Sequence, residues 1–202
     1  MCIRDSAHIV LAVEGCGWIN PDYFPLMIAS TIVGNWDRSF VNGANTPSRL
    51  AQECATEPLV RSFMSFNTCY TDTGLWGIYL VTDKLMIDDL FFNLQNEWMR
   101  LCTSISDFEV ERAKNAFKTS LLMQLDGSTP VCEDIGRQML TYGRRIPLPE
   151  LDYRIQQIDA KTVKEVCTRY IYDKCPIVVG IGPIEQLPDY NRIRGNFWWF
   201  RT

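Results

Sequence analysis

Two apolar runs separated by a short polar turn constrain the fold of this chain most strongly. Residues 60–70 and 75–81 are strand-like, and the Thr71-Asp72-Thr73-Gly74 segment between them is typical of a β-hairpin turn. The second run is apolar on both of its alternating sides: Trp76, Ile78 and Leu80 on one, and Leu75, Tyr79 and Val81 on the other. We therefore predict that this strand lies in the interior of a sheet.

The remaining pattern predicts one α+β domain. Residues 8–14 are apolar at nearly every position, which is typical of a strand covered on both faces, and residues 176–182 are a last strand. Residues 191–202 form a tail that is too apolar to be left in water. Periodicity and capping signals predict helices over 22–33, 48–55, 88–102, 106–125, from 129 onwards, 149–157 and 159–171. We expect a mixed or antiparallel sheet with the helices packed mainly on one face.

The composition excludes several classes of function. The 20 basic and 24 acidic residues give a net charge of −4, and no basic block is present, so nucleic acid is not an expected partner. The longest apolar run, 25–34, is too short to cross a bilayer. Since the chain has neither a G-x-G-x-x-G nor a G-K-[ST] pattern, nucleotide binding is unsupported.

Histidine and cysteine usage limits metal chemistry. His8 is the only histidine, so a zinc centre built from two or three imidazoles cannot form within this chain, and we expect the His8 ring to be hydrogen-bonded locally. The eight cysteines include no C-x-x-C pair, which favours reduced, buried thiols. Ser106 and Glu109 form a predicted capping box, and Arg144-Arg145 is expected to form salt bridges. Residue chemistry alone therefore indicates no active site.

Several long strings resemble a known family. They are HIVLAVEG at 8–15, GNWDRSF at 34–40, SFNTCYTDTGLWG at 65–77, EWMRLCTS at 97–104, LDGSTP at 125–130, EDIGRQ at 133–138 and GPIEQLPDY at 182–190. Together they resemble the C-terminal domain of the peptidase M16 family, in its branch of mitochondrial processing-peptidase β subunits. The resemblance covers residues 7–202, and we expect residues 1–6 (MCIRDS) to be a non-native leader.

The resemblance implies two similar α+β domains with different roles. In this family the first domain holds zinc through an inverted H-x-x-E-H motif, and the second closes the cavity and helps to hold the substrate. The resemblance thus implies that this chain contains no catalytic or metal residue, and that zinc belongs to a missing N-terminal domain. It implies three partners, namely that domain, an α subunit and basic presequence peptides, in the mitochondrial matrix or at the matrix face of the inner membrane.

A second branch of the family is an alternative. The core 1 subunit of the cytochrome bc1 complex is similar to the processing-peptidase β subunit, and its partners would be the other bc1 subunits. Residues 34–38 and 71–76 look more like the peptidase form, whereas 184–187 occurs in both.

The resemblance also suggests residues that line a substrate cavity. More active members of the family carry an arginine and a tyrosine after a glycine-rich loop, and Arg61 falls where that tyrosine would be. The resemblance therefore does not imply direct stabilisation of the scissile peptide by this domain. Arg38, Asn45 and Arg49, in and around the loop at 41–50, are the predicted cavity residues, with loop capping and salt bridging as the alternative role.

Overall fold

The computed structural model describes residues 5–39 and 46–199, with Trp199 described by its backbone alone. Its strands are β1 (Ala7–Cys16), β2 (Asn35–Asp37), β3 (Ser62–Cys69), β4 (Thr73–Thr82) and β5 (Ile177–Ile181). They form one sheet in the order β2-β3-β4-β1-β5, and every pair of neighbours is antiparallel. The predicted α+β class is confirmed.

Helices account for most of the remaining described residues. They are α1 (Tyr23–Val33), α2 (Arg49–Thr56), α3 (Ile87–Thr103), α4 (Asp107–Gln124), α5 (Ser128–Tyr142), α6 (Leu148–Gln156), α7 (Ala160–Tyr170) and α8 (Tyr190–Trp199). The predicted capping box is present, since Ser106 Oγ accepts from the Glu109 amide and the Glu109 side chain accepts from the Ser106 amide. Within the described ranges, no helix is both long enough and apolar enough to span a membrane.

The predicted hairpin organises the centre of the sheet. β3 and β4 pair from Ser62↔Val81 to Cys69↔Gly74, and the Tyr70 amide donates to the Thr73 carbonyl oxygen over 2.8 Å. On its other side β4 pairs with β1 along its full length. β4 is therefore an interior strand, as its two apolar sides predict.

One face of the sheet carries the core. Ile9 and Leu11 of β1 are fully buried there, as are Ile78 and Leu80 of β4. The indole N–H of Trp76 donates to the Leu26 carbonyl oxygen over 3.1 Å, which fixes α1 to β4. The Trp76 and Trp98 rings lie 4.7 Å apart between centroids, so α3 completes the apolar layer.

The structure corrects three expectations. The segment expected to be a tail is helical, since α8 covers Tyr190–Trp199. Its Ile193 and Phe197 are buried, with the Phe197 ring 5.7 Å from that of Trp98, as expected for a segment too apolar to be left in water. β2 lies between the helices predicted at 22–33 and 48–55, where no strand was predicted, because its three residues are ordered by pairing with β3 rather than by a local pattern. Strand 8–14 is covered on one face only by the described part of the chain, since His8 and Val10 are half-buried and Glu14 is exposed.

Smaller expectations are confirmed. Arg144 pairs with Glu150 over 2.6 Å. All seven cysteines outside the undescribed N-terminal residues are free thiols, and five of the seven are buried. The five buried cysteines therefore contribute to packing as small apolar groups.

Candidate functional site

The sheet face opposite the helices, called here the open face, is the candidate functional site. Antiparallel sheets with one solvated face normally carry polar side chains there. Here the face is mostly apolar, and Met64 and Val179 are 53% and 50% exposed. Its apolar and central residues are Met64 and Phe66 of β3, Leu75, Gly77, Tyr79 and Val81 of β4, His8, Val10, Ala12 and Glu14 of β1, and Ile177, Val179 and Ile181 of β5. Polar residues lie at its β2 side and at the ends of β3, namely Asn35, Asp37, Ser62 and Thr68. A contiguous apolar surface of this kind indicates a site of interaction.

The strand register arranges these side chains in rows across the sheet. One row runs Met64, Tyr79, Val10, Val179, and the next runs Phe66, Gly77, Ala12, Ile177. A Cβ atom on Gly77 would lie only 2.9 Å from the Ala12 Cβ, so glycine is required by the close approach of β1.

A polar pair lies on the two neighbouring strands β1 and β4 of the open face, near the end where β1 begins. His8 Nδ1 and the Tyr79 hydroxyl oxygen are hydrogen-bonded at 2.5 Å, as expected for a locally satisfied ring. No group of three or more histidine, cysteine, aspartate or glutamate side chains suited to a metal ion occurs in the part of the chain that is described. Because a zinc centre needs three or four ligands that converge on the ion, the single histidine without such a group does not fit one.

Charged residues border the open face at the end where β1 begins. The Arg61 guanidinium pairs with the Asp83 carboxylate over 2.5 Å and donates to Ser6 Oγ over 3.0 Å. Its backbone amide donates to the Val81 carbonyl oxygen over 2.8 Å. Arg61 therefore ties the segment before β1 to the end of β4, and its charge is balanced by Asp83.

The predicted cavity residues lie in different surroundings. Arg38 is exposed directly after β2, and its amide donates to the Arg61 carbonyl oxygen over 2.9 Å. Arg49 begins α2 and pairs with Glu53 on the same helix over 3.2 Å, in agreement with the salt-bridging alternative. Asn45 lies outside the described residues. The structure thus brings Arg38 to Arg61, and the role of Arg38, Asn45 and Arg49 in a cavity stays a prediction.

Sequence reasoning missed most of the open face as a site. Met64, Phe66 and Val179 were available as alternating apolar residues in predicted strands. Such alternation predicts that a sheet face is buried, but it does not predict which element of the protein covers that face. The missing information was that the helices of the described residues cover one side of the sheet only.

A buried ionic cluster lies in the helical layer, away from the open face. Burial raises the pKa of Glu97, although its carboxylate lies 2.7 Å from the Arg100 guanidinium. Partial burial also opposes ionisation of Glu109, but hydrogen bonds from Arg100 and Ser106 prevail and lower its pKa to about 2. Since Arg100 bonds both carboxylates, it joins α3 to the start of α4 and has a structural role.

Sequence comparison identifies the class of protein to which this fold and its open face belong. The chain matches the family described as "Peptidase M16 inactive domain" over residues 1–117, which is more than half of its length. It belongs to the peptidase M16 family.

Particular relatives are close in sequence. The chain is 58% identical over 201 residues to "Mitochondrial-processing peptidase subunit beta" of Bos taurus, covering 98% of the chain and 41% of the relative. It is 56% identical over 203 residues to the Homo sapiens protein of that name, covering 98% and 42%. It is 55% identical over 205 residues to "Cytochrome b-c1 complex subunit 1, mitochondrial" of Bos taurus, covering 100% and 43%. The chain thus spans less than half the length of these relatives.

A solved structure has the same fold. A chain of "Complex III2 from Candida albicans, Inz-5 bound" superposes with a TM-score of 0.92 at 34% sequence identity. The match covers 96% of this chain and 47% of the solved chain. This chain therefore spans about half the length of the solved chain as well.

Proposed function

We propose that this chain is the non-catalytic C-terminal half of the β subunit of a mitochondrial processing peptidase. The whole enzyme removes basic presequences from imported precursor proteins. The open face supports this proposal most directly, because an apolar sheet face uncovered by the described residues fits a chain that spans 41% of its processing-peptidase relative. The identity of 58% to that relative supports the particular activity.

In this proposal the open face of residues 7–202 is one wall of the substrate cavity. Presequences are amphipathic, so their apolar side chains would contact the sheet around Phe66 and Tyr79. Their basic side chains would find carboxylates such as Glu14, which is exposed on the same face, and the net charge of −4 favours their approach. Zinc and the water-activating glutamate belong to the N-terminal half, and the α subunit completes the enzyme in the mitochondrial matrix.

The test compares the isolated chain with the assembled enzyme. The full-length parent, purified with its α subunit, is expected to bind zinc and to cleave a presequence peptide, whereas the 202-residue chain does neither. Stoichiometric zinc and peptide cleavage by the isolated chain would overturn the proposal. Zinc is measured by elemental analysis and cleavage by mass spectrometry.

A variant then tests the wall itself. In the assembled enzyme, Phe66→Ala is expected to raise the KM for a presequence peptide several-fold while zinc content stays unchanged, because it removes apolar contact area from the wall. Phe108→Ala, at a side chain that is 75% exposed on α4, is the matched control and should leave KM unchanged. An unchanged KM for Phe66→Ala would remove the open face from substrate binding.

A structural subunit of the cytochrome bc1 complex, at the matrix face of the inner membrane, is the second candidate. The 55% identity to the bovine subunit across the entire chain and the fold match to a chain of Complex III2 favour it. The upstream coding sequence discriminates the two, since an intact H-x-x-E-H motif supports the peptidase and a degraded motif supports the structural subunit. Co-purification with cytochromes b and c1 instead of an α subunit would give the same answer.

A further inference from the structure

Two buried cysteines lie close together at the end of the sheet that carries the hairpin turn. Cys16 is the last residue of β1 and Cys69 is the last residue of β3, and they are 3% and 9% exposed. Their strands are not neighbours, because β4 lies between them. Two strand spacings, about 10 Å, normally separate such positions, so the local path of the chain must bring the two thiols together.

The end of β1 crosses over the start of β4 at a glycine. A Cβ atom on Gly74 would lie 2.5 Å from the Cys16 carbonyl oxygen and 3.0 Å from the Thr68 carbonyl oxygen, so both flanking strands close in over this position. Only a residue without a side chain permits that approach. Just beyond it, the Trp18 amide donates to the Tyr70 carbonyl oxygen over 3.0 Å. The chain that leaves β1 therefore contacts the chain that leaves β3 directly.

The two thiols interact with each other. The Cys69 thiol donates a hydrogen bond to the Cys16 sulfur, and this bond lowers the pKa of Cys16, although burial and the Asp22 carboxylate oppose it. The same bond, together with burial, raises the pKa of Cys69. By contrast, burial raises the pKa of the Cys54 thiol on α2 to about 12. Because the thiolate is the reactive form of cysteine, Cys16 is the more nucleophilic member of the pair.

We propose that Cys16 and Cys69 form a reversible disulfide when the protein meets a hydroperoxide. The Cys16 thiolate attacks one oxygen of hydrogen peroxide and the O–O bond breaks, which leaves a sulfenic acid on Cys16 and, after uptake of one proton, a water molecule. The Cys69 thiol then attacks that sulfur, the S–O bond breaks, and the hydroxyl group leaves with the thiol proton as a second water molecule. Each thiol loses one electron, and the peroxide gains both.

The disulfide would connect two strands of the open face. It would close the segment between residues 16 and 69, which contains α1, β2 and α2, and a cross-link over a segment of this length stabilises the folded state. Residues 70–72, directly after Cys69, are exposed, so a molecule as small as hydrogen peroxide has a short route to the pair. The inference needs only residues of this chain and does not depend on the proposed function.

Peptide mapping of the native 202-residue chain tests the proposal. The chain is treated with an equimolar amount of hydrogen peroxide, the remaining thiols are alkylated, and the digest is analysed by mass spectrometry. We expect a linked pair of peptides that contain Cys16 and Cys69 and that separate again after treatment with a thiol reductant. The urea midpoint of the oxidised chain should lie about 1 M above that of the reduced chain.

Single substitutions separate the roles of the two thiols. In Cys69→Ala, a dimedone probe should label the sulfenic acid on Cys16 at least about tenfold more than it labels Cys69 in Cys16→Ala, because Cys16 supplies the thiolate. Cys54→Ala is the matched control. It removes an equally buried thiol on α2, and it should form the Cys16–Cys69 link as the parent chain does.

Three results would overturn the proposal. In the first, Cys16 and Cys69 stay reduced while the exposed Cys132 and Cys175 are oxidised. In the second, the link forms only in urea, which would mean that the native contact plays no part. In the third, the two single variants are labelled equally, which would contradict the assignment of Cys16 as the attacking thiol.

Discussion

The two faces of the sheet are built from the same strands but differ in how far their side chains are buried. On the face covered by helices, Ile9, Leu11, Ile78 and Leu80 are fully buried, whereas on the open face Met64 and Val179 remain about half exposed. Both faces are apolar, so hydrophobicity does not distinguish them. The difference shows that an apolar pattern specifies a need for burial, and that the described part of this chain meets that need on one side only.

The difference has an energetic consequence. A fully buried aliphatic or aromatic side chain contributes about 1.5–3 kcal/mol, and a half-exposed one contributes correspondingly less. The covered face therefore supplies most of the stability of this chain, while the apolar area of the open face is available for association. Substitutions that separate folding stability from association test this assignment.

Truncation of the central tryptophan on the covered face should have the largest effect. Trp98 is fully buried between Trp76 and Phe197, so Trp98→Ala is expected to cost about 3–5 kcal/mol of unfolding free energy. Urea denaturation followed by far-ultraviolet circular dichroism measures the loss. Phe108→Ala, which truncates an exposed aromatic ring, should stay within about 0.5 kcal/mol of the parent chain. Equal losses for the two variants would contradict the assignment of the core.

The close approach of β1 and β4 should give the next largest effect. Gly77→Ala places a methyl group against the Leu11 carbonyl oxygen and 2.9 Å from the Ala12 Cβ, so we expect a loss of about 1–3 kcal/mol. Gly136→Ala is the matched control in α5, where a Cβ meets no atom within 4 Å, and it should be neutral or stabilising by up to about 1 kcal/mol. A neutral Gly77→Ala would mean that the two strands can separate without cost.

The sequence predicted the elements whose patterns are local. The hairpin follows from two apolar runs and the Thr71-Asp72-Thr73-Gly74 turn, and the start of α4 follows from Ser106 and Glu109. α8 had a signal that was not used, because Ile193 and Phe197 are spaced four residues apart and lie on one face of a helix. β2 had none, since its order depends on pairing with β3.

The site was less predictable for a physical reason. Arg38 and Arg49 were selected from their position near a loop, and the structure places one beside the sheet edge and the other in an ion pair on α2. The position of the open face depends on which side of β4 the helices cover, and two equally apolar sides of a strand do not predict that side locally. The covered side is determined by tertiary packing, since α1, α3 and α7 pack on the side of Trp76.

The ionic link within the covering layer should give a moderate, pH-dependent effect. The folded-state pKa of Glu109 is about 2, below the value of about 4.3 for an unfolded chain. Its ionised form therefore stabilises the fold above about pH 5, and this contribution is lost as the pH falls towards 2. We expect Glu109→Gln to cost about 1 kcal/mol at pH 7 and progressively less at lower pH, because it weakens the capping box and the contact with Arg100.

Urea denaturation at pH 7, 5 and 3 measures this difference. Glu165→Gln removes the same charge from an exposed position on α7, where the nearest lysine nitrogen is 3.9 Å away, and should stay within about 0.5 kcal/mol at each pH. A Glu109→Gln effect that stayed constant down to pH 3 would contradict an ionic origin.

The smallest effect on stability should come from the open face, and it should coincide with a clear effect on association. Met64→Lys adds a charge to a side chain that is 53% exposed, so the unfolding free energy should change by less than about 0.5 kcal/mol. We expect the isolated chain to self-associate through this face, and a lysine in the row formed with Tyr79 and Val10 should reduce that association because its ammonium group would have to be desolvated. Sedimentation velocity over a range of concentrations measures the change. Leu140→Lys is the control. It adds the same charge on α5, outside the sheet, at a side chain that is 90% exposed, and it should leave association unaltered. If both lysines reduced association equally, general charge repulsion would explain the result; an effect confined to Met64→Lys assigns the interaction surface to the face that the helices leave uncovered.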